Sequence, residues 1–426
     1  MNLPVKIYDN EFFLAIISCI SIISITISHG IPFMPIIFFI YLLVYLKQKK
    51  INLKVNIYYF LFYIMVFLYL WGMLFNKGII YQNNKTDLMN VVYCILIILC
   101  ASFMNLLKFK QYMYVLFKLL SFTIPVIALI SIYKFYLLSN GIQLNFLIQG
   151  RENYPLGTSL VTDYNMFALG LSIGFVSLVY FYKIAQSLIL KLLLMGGITL
   201  VGISIYLSGS RRGIIVLAFL LIYLFIIIVR SNNRGIAKNR QRLKTFALFT
   251  IFGFVFFMLF STDLKVYETE EFERIELRSS SILEFKDSFS GRADRWDYGV
   301  ELLKESSLLK LFLGDGFQYL EKFQERFATS SEDYPHNFLL AAFLYSGLIG
   351  MLIILTLLCL LLIRLFKYRK VIGIEMLIVF SLMLVFLISS GNSIFSIRIL
   401  PIFILIISAV KTNEKMSIDQ PITNMI

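Results

Sequence analysis

Residues 188–230 read LILKLLLMGGITLVGISIYLSGSRRGIIVLAFLLIYLFIIIVR. Two apolar runs, about 188–207 and 213–230, flank a short turn from Ser208 to Gly213. Each run is long enough to cross roughly 30 Å of hydrocarbon as a helix. The pattern repeats in both directions along the 426 residues. Twelve spans are expected, at about 12–29, 31–46, 57–75, 88–106, 112–138, 164–182, 188–207, 213–230, 243–260, 337–363, 373–390 and 397–411. Pro32, Pro35 and Pro401 soften the ends of the second and the last. The first run has no small-residue cleavage site and reads as an uncleaved helix. A mean hydropathy of +0.82, with 59% hydrophobic and 15% charged residues, excludes an ordinary soluble domain. The expected fold is an all-α polytopic membrane protein, one integral membrane domain over 1–426.

The net charge of +14 suggests nucleic acid until its distribution is read. Lys47, Lys49, Lys50 and Lys54 fall in one short loop, and Lys108 and Lys110 in another. Arg230, Arg234, Lys238, Arg240, Arg242 and Lys244 fill a third, and Arg364, Lys367, Arg369 and Lys370 a fourth. With twelve spans all of these lie on one side, which the positive-inside rule makes the cytoplasm, together with both termini. The 230–244 cluster reads as a topology determinant, so no nucleic-acid partner is expected. Cys19, Cys94, Cys100 and Cys359 all lie inside predicted spans and show no metal-ligand spacing. They read as small buried apolar residues.

One polar stretch interrupts the apolar series, Ser261 to Pro335, which holds 17 of the 25 acidic residues. The topology makes 261–335 a long extracytoplasmic loop. From Ala293 to about Leu311 it has helical spacing, with Trp296, Val300 and Leu303 on one face. Gly314-Asp315-Gly316 breaks that pattern, and Phe317, Leu320, Phe323 and Phe327 mark a second short amphipathic helix. Such helices lie on the membrane surface or pack against the bundle; the sequence leaves both open.

Ionisable groups at span ends are functional candidates, because burying them without partners is costly. Lys134, Asp163, Arg211, Arg212, His336 with Asn337, and Arg398 all gather at the outer boundary. Each has a plain alternative. Lys134 and Arg398 can snorkel, Asp163 can cap its helix, and His336 can sit on the surface. Arg211 is hardest to dismiss, since an Arg-Arg pair outside opposes the positive-inside bias. Its flanking Gly209 and Gly213 permit close helix approach, a setting that suits a phosphate held by guanidinium forks and backbone amides.

SGSRRG at a helix turn, then GRADRW (Gly291 to Trp296), LGDGF and HNFLLAAFLYSGLIG, resembles the O-antigen ligase and polymerase superfamily. Asp163-Tyr164-Asn165 with Ala168 looks like its weaker upstream motif, so the resemblance spans roughly 160–365 in order and spacing. Arg212 departs from the pattern, where many members have a small residue. The resemblance implies a GT-C-like, metal-independent membrane glycosyltransferase, with no cofactor, at the periplasmic or exterior face of the bacterial inner membrane. It implies an undecaprenyl-diphosphate-linked glycan donor, a glycan acceptor and membrane lipids as partners, with flippase and chain-length regulator proteins beside them. The matched catalytic positions are Arg211, Arg292 and His336. Arg212, Arg295, Trp296, Asn337, Asp163, Lys134 and Arg398 are candidate substrate-binding positions. The expected function is polymerase of a surface polysaccharide such as O-antigen or capsule. The alternatives are a ligase of the same family, which delivers finished glycan to lipid A-core or another acceptor, and a lipid-linked oligosaccharide flippase. Against the last, the polar groups cluster at one face, a single loop dominates and no convincing internal repeat is found, whereas a transporter should show repeat halves and interrupted midplane helices.

Overall fold

The computed structural model describes residues 10–27, 57–75, 109–142, 156–230, 285–316, 318–327 and 335–390, with isolated positions elsewhere. Every regular element among them is a helix. These are α1 (Asn10–Ile27), α2 (Ile57–Phe75), α3 (Phe109–Ser139), α4 (Tyr164–Ile184), α5 (Leu188–Tyr206) and α6 (Arg211–Arg230). Then follow α7 (Phe285–Lys304), α8 (Leu308–Leu313), α9 (Gln318–Arg326), α10 (Phe338–Lys367), α11 (Arg369–Ile372) and α12 (Ile374–Ser390). Five helices (α3, α4, α5, α6 and α10) are long and apolar enough to cross a bilayer, and Ala15–Ile27, Ile57–Trp71 and Ile374–Ile388 are shorter apolar helices. The chain is a multi-pass membrane protein. The predicted spans 31–46, 88–106, 243–260 and 397–411 fall wholly or largely outside the described residues. Of the cysteines, Cys19 is buried as expected, while Cys359 is exposed on α10.

The chain divides into two compact units: Met1–Ile7, Cys19–Gly30 and Gln111–Glu284 form the first, and Tyr8–Ser18, Ile31–Lys110 and Phe285–Ile426 the second. In the first, α4 is the core helix and packs on α5 and α6. Its small residues allow this, as is usual where helices associate in lipid without a hydrophobic drive. Gly170 lies against Thr26 and Ile25 of α1, and Gly174 against Ile124 of α3. Ser131 of α3 and Ser204 of α5 share a buried hydroxyl–hydroxyl bond of 2.7 Å. The outer faces stay apolar, with Phe122 and Ile130 on α3 and Phe219 and Ile222 on α6 exposed to what the fold makes lipid.

In the second unit α10 is central, packing against α2, α7, α8 and α12. The helix is broken at Gly347, whose φ of 65° and ψ of −170° lie outside the helical region. The break releases carbonyls that must find donors elsewhere. The loop supplies them: Asp315 N–H donates to Leu344 O (2.9 Å) and Gly316 N–H to Tyr345 O (3.0 Å). A Cβ on Gly314 would overlap the Tyr345 carbonyl, and one on Gly347 would overlap the Phe312 backbone. Two glycines from distant motifs thus interlock. Asp315 is itself 6% exposed and ion-paired to Lys310 (2.8 Å) and Lys322 (3.3 Å). The Tyr345 ring stacks on Tyr69 of α2 and meets Tyr319 of α9 edge-on. Such aromatic pairs contribute about 0.5–1.5 kcal/mol each beyond area burial.

The loop helices differ in detail from expectation. The predicted helix from Ala293 to Leu311 is two helices, α7 and α8, divided where Ser307 caps α8 by accepting from Lys310 N–H. Its buried positions are Gly299 and Leu302, whereas Val300 is 42% exposed. The reason is steric: a Cβ at Gly299 would lie 2.8 Å from Leu340 Cδ2, so the missing side chain sets the line of approach to α10. Both α7 and α8 pack against α10, one of the two placements left open. The second predicted helix is α9, with Leu320 and Phe323 buried. Residues 261–284 and 328–334 of the loop lie outside the described residues.

Candidate active site

In the first unit the SGSRRG turn is tighter than the sequence implies. Arg211 and Arg212 are the first two residues of α6, not part of the turn itself. Ser210 precedes them as a cap, its Oγ accepting from Gly213 N–H at 3.0 Å. The same hydroxyl donates to Asn165 Oδ1 (2.9 Å), in the first turn of α4. Gly209 takes φ 73°, and Ser208 Oγ donates to Ile205 O while accepting from Ser210 N–H. At Gly213 a Cβ would come within 2.9 Å of Ala168 Cβ, so the two helix starts are in close contact. Two helix N-termini, each carrying the positive end of a dipole, therefore lie beside two partly exposed guanidinium groups. That is an arrangement that favours an anion.

The segment before α4 is fixed just as firmly. Lys134, 3% exposed, donates its Nζ to Gly157 O and to Ser159 O at 3.1 Å. It does not snorkel. Gly157 takes φ 54°. Thr158 donates its N–H to Leu207 O (3.0 Å) and its Oγ1 to Ser204 O (2.6 Å), binding the segment to the end of α5. Asp163 is the N-cap of α4, its Oδ1 accepting from Met166 N–H at 3.2 Å. Both residues thus have structural partners that set the start of α4, and with it Asn165 and the arginine turn.

In the second unit the HN pair begins α10. Asn337 is the N-cap, its Oδ1 accepting from Leu339 and Leu340 N–H at 3.1 and 3.2 Å. His336 is 6% exposed, not a surface residue, and has φ 50°. A left-handed backbone at a non-glycine residue costs roughly 1–2 kcal/mol, and persists where the surroundings impose it. Four residues after His336, Leu340 meets Gly299 of α7, and Arg295 and Trp296 lie one turn before Gly299. The GRADRW helix and the HN helix start therefore belong to one packed cluster. Arg295 lies over the Phe327 ring at 4.9 Å. Tyr298 donates to Lys322 O (3.1 Å) and packs edge-on against Phe323. Burial pushes the Tyr298 hydroxyl above its ordinary pKa, and the Arg326 guanidinium opposes that. Arg292 lies in α7 with its side chain outside the described residues, and Arg398 lies outside them altogether. Among the described residues no three His, Cys, Asp or Glu side chains form a metal-ligand set.

An arginine pair at a helix start, followed by a helix carrying GRADRW and a buried histidine before a capped span, is the pattern that comparison with known families tests. Residues 196–355 match the O-antigen ligase family. The matched span takes in the arginine turn, α7 to α9 and the start of α10, and covers less than half of the chain. It is narrower than the 160–365 read from motifs, so Lys134, Asp163 and the Asp163-Tyr164-Asn165 motif lie outside it. O-antigen ligase-family members are glycosyltransferase-like enzymes that act on lipid-linked glycans, and the match supports a ligase- or polymerase-type function. No curated protein and no solved structure matches the chain.

Two features escaped sequence reasoning. The Ser210–Asn165 bond joins motifs already singled out, but no spacing rule links residues so far apart. The Gly314–Gly347 interlock joins LGDGF to YSGLIG, and its only sequence signal is a glycine in an apolar run.

Proposed function

We propose that the chain is a surface-polysaccharide polymerase. It transfers glycan from a polyprenyl diphosphate, such as the undecaprenyl carrier, onto the acceptor sugar of another lipid-linked repeat unit. The observation that carries this reading is the Arg211–Arg212 pair, which lies inside the O-antigen ligase-family match at the start of α6 and is held beside the start of α4. In the reaction an acceptor hydroxyl attacks the anomeric carbon. A C–O glycosidic bond forms, the bond from the anomeric carbon to the phosphate oxygen breaks, and its electron pair leaves with the diphosphate. Arg211 and Arg292 stabilise the charge that grows there, a task for which guanidinium groups suit phosphates. His336 takes the acceptor proton. Arg212, Arg295, Trp296 and Asn337 hold glycan or diphosphate, and no metal is required. The enzyme has twelve spans with both termini in the cytoplasm, and works at the outer face of the cytoplasmic membrane.

A second reading, ligase, is favoured by the matched family's description. It uses the same bond chemistry with a different acceptor. Deletion of the gene, followed by gel analysis of surface and lipid-linked glycans, separates the readings. A polymerase mutant makes at most one repeat unit. A ligase mutant accumulates lipid-linked polymer that never reaches its acceptor. Single units trapped on the cytoplasmic side would point to a flippase and overturn both.

A further inference from the structure

The loop helix α8 is short, and its apolar residues are not covered by the protein. Leu308 is 78% exposed, Leu309 53% and Phe312 48%. Water is a poor environment for three such side chains on six residues. The packing of α8 says what else is there. It docks on α10 at the break, where Phe312 and Leu313 meet Gly347. From Phe338 to Ile363 α10 has no Asp, Glu, Lys, Arg or His, and its first cation is Arg364. Gly347 to Arg364 is about 26 Å of helix at 1.5 Å per residue, close to the roughly 30 Å thickness of the hydrocarbon core. With Arg364 at one boundary, Gly347 and the docked α8 fall at the opposite one. The one cation within α8, Lys310, is neutralised by Asp315 at 2.8 Å, which removes the main obstacle to burying the helix tip in lipid.

We propose that α8 is a membrane-dipping anchor, with Leu308, Leu309 and Phe312 inserted among the acyl chains of the surrounding bilayer. The anchor holds the loop at the membrane boundary, because Asp315 and Gly316 tie α8 directly to α10. This rests on the multi-pass fold and not on the reaction proposed above.

The test uses the full-length, unmodified chain in nanodiscs containing a phospholipid with a photoactivatable acyl chain. Adducts are mapped by mass spectrometry. Phe219, 67% exposed on α6, is the lipid-facing reference, and Glu325 and Arg326 on α9 are the aqueous one. Adduct yield over 308–312 should lie within about threefold of that at Phe219 and at least ~10-fold above that at 325–326. Two results overturn the proposal. Absence of acyl-chain adducts with oxidation of Leu308 and Leu309 by hydroxyl radicals would place α8 in water. Absence of both would mean that another protein surface, such as a second copy of the chain, covers it.

Discussion

Arg211 is held in place by its neighbours' bonds: Ser210 caps α6 and reaches Asn165, and Gly213 lets α4 approach. Arg211→Ala removes the guanidinium and leaves those contacts intact. Transfer should fall by about 10²–10³-fold, the usual loss for one preorganised donor to developing charge, while the protein stays folded in membranes. Arg211→Lys should recover only part of it, since an ammonium lacks the bidentate fork. The same pair of substitutions at Arg212 shows which arginine meets the diphosphate. Normal product lengths from Arg211→Ala would remove it from the site. His336 is separable from its backbone in a similar way. Its φ of 50° suits glycine, which offsets part of the cost of emptying a buried position, so His336→Gly should still fold in membranes. Transfer by that variant should still be lost. A fully active His336→Gly would mean the imidazole has no chemical part.

At the scale of elements, the interlock of Gly314 and Gly347 is the most exposed to mutation. Both residues have positive φ and both would drive a Cβ into backbone. Gly314→Ala or Gly347→Ala should each cost more than about 2 kcal/mol, read as a lower unfolding temperature. The double variant should cost less than the sum, since both disrupt one junction. Most helix positions were legible because apolar run length speaks plainly: 57–75 matches α2, and 164–182 and 188–207 miss their ends by one or two residues. The cap role of Asp163 was legible for a local reason, the free amides of a helix start. The break in α10 was not, because its apolar pattern runs through Gly347 without pause. Nor was the buried side of α7, where a missing side chain at Gly299 outweighs the amphipathic stripe through Val300. Lys134 was legible as an ionisable group near a span end, but its burial was not. Its bonds to Gly157 and Ser159 depend on a fold that brings distant residues together.

At the scale of the whole molecule, the two sets of candidate residues belong to two compact units. The proposed topology puts the 230–244 cluster in the cytoplasm. A reporter fused after residue 240 should therefore report a cytoplasmic location, and an external signal would overturn the topology. The central claim is glycosyl transfer from a lipid diphosphate, and reconstitution tests it most directly. Purified protein in liposomes, given polyprenyl-diphosphate-linked repeat units and a chelator of divalent metals, should release free polyprenyl diphosphate as longer lipid-linked glycans appear. Arg211→Ala should do neither. Units that cross the bilayer unchanged, or release that needs a divalent ion restored, would contradict the account.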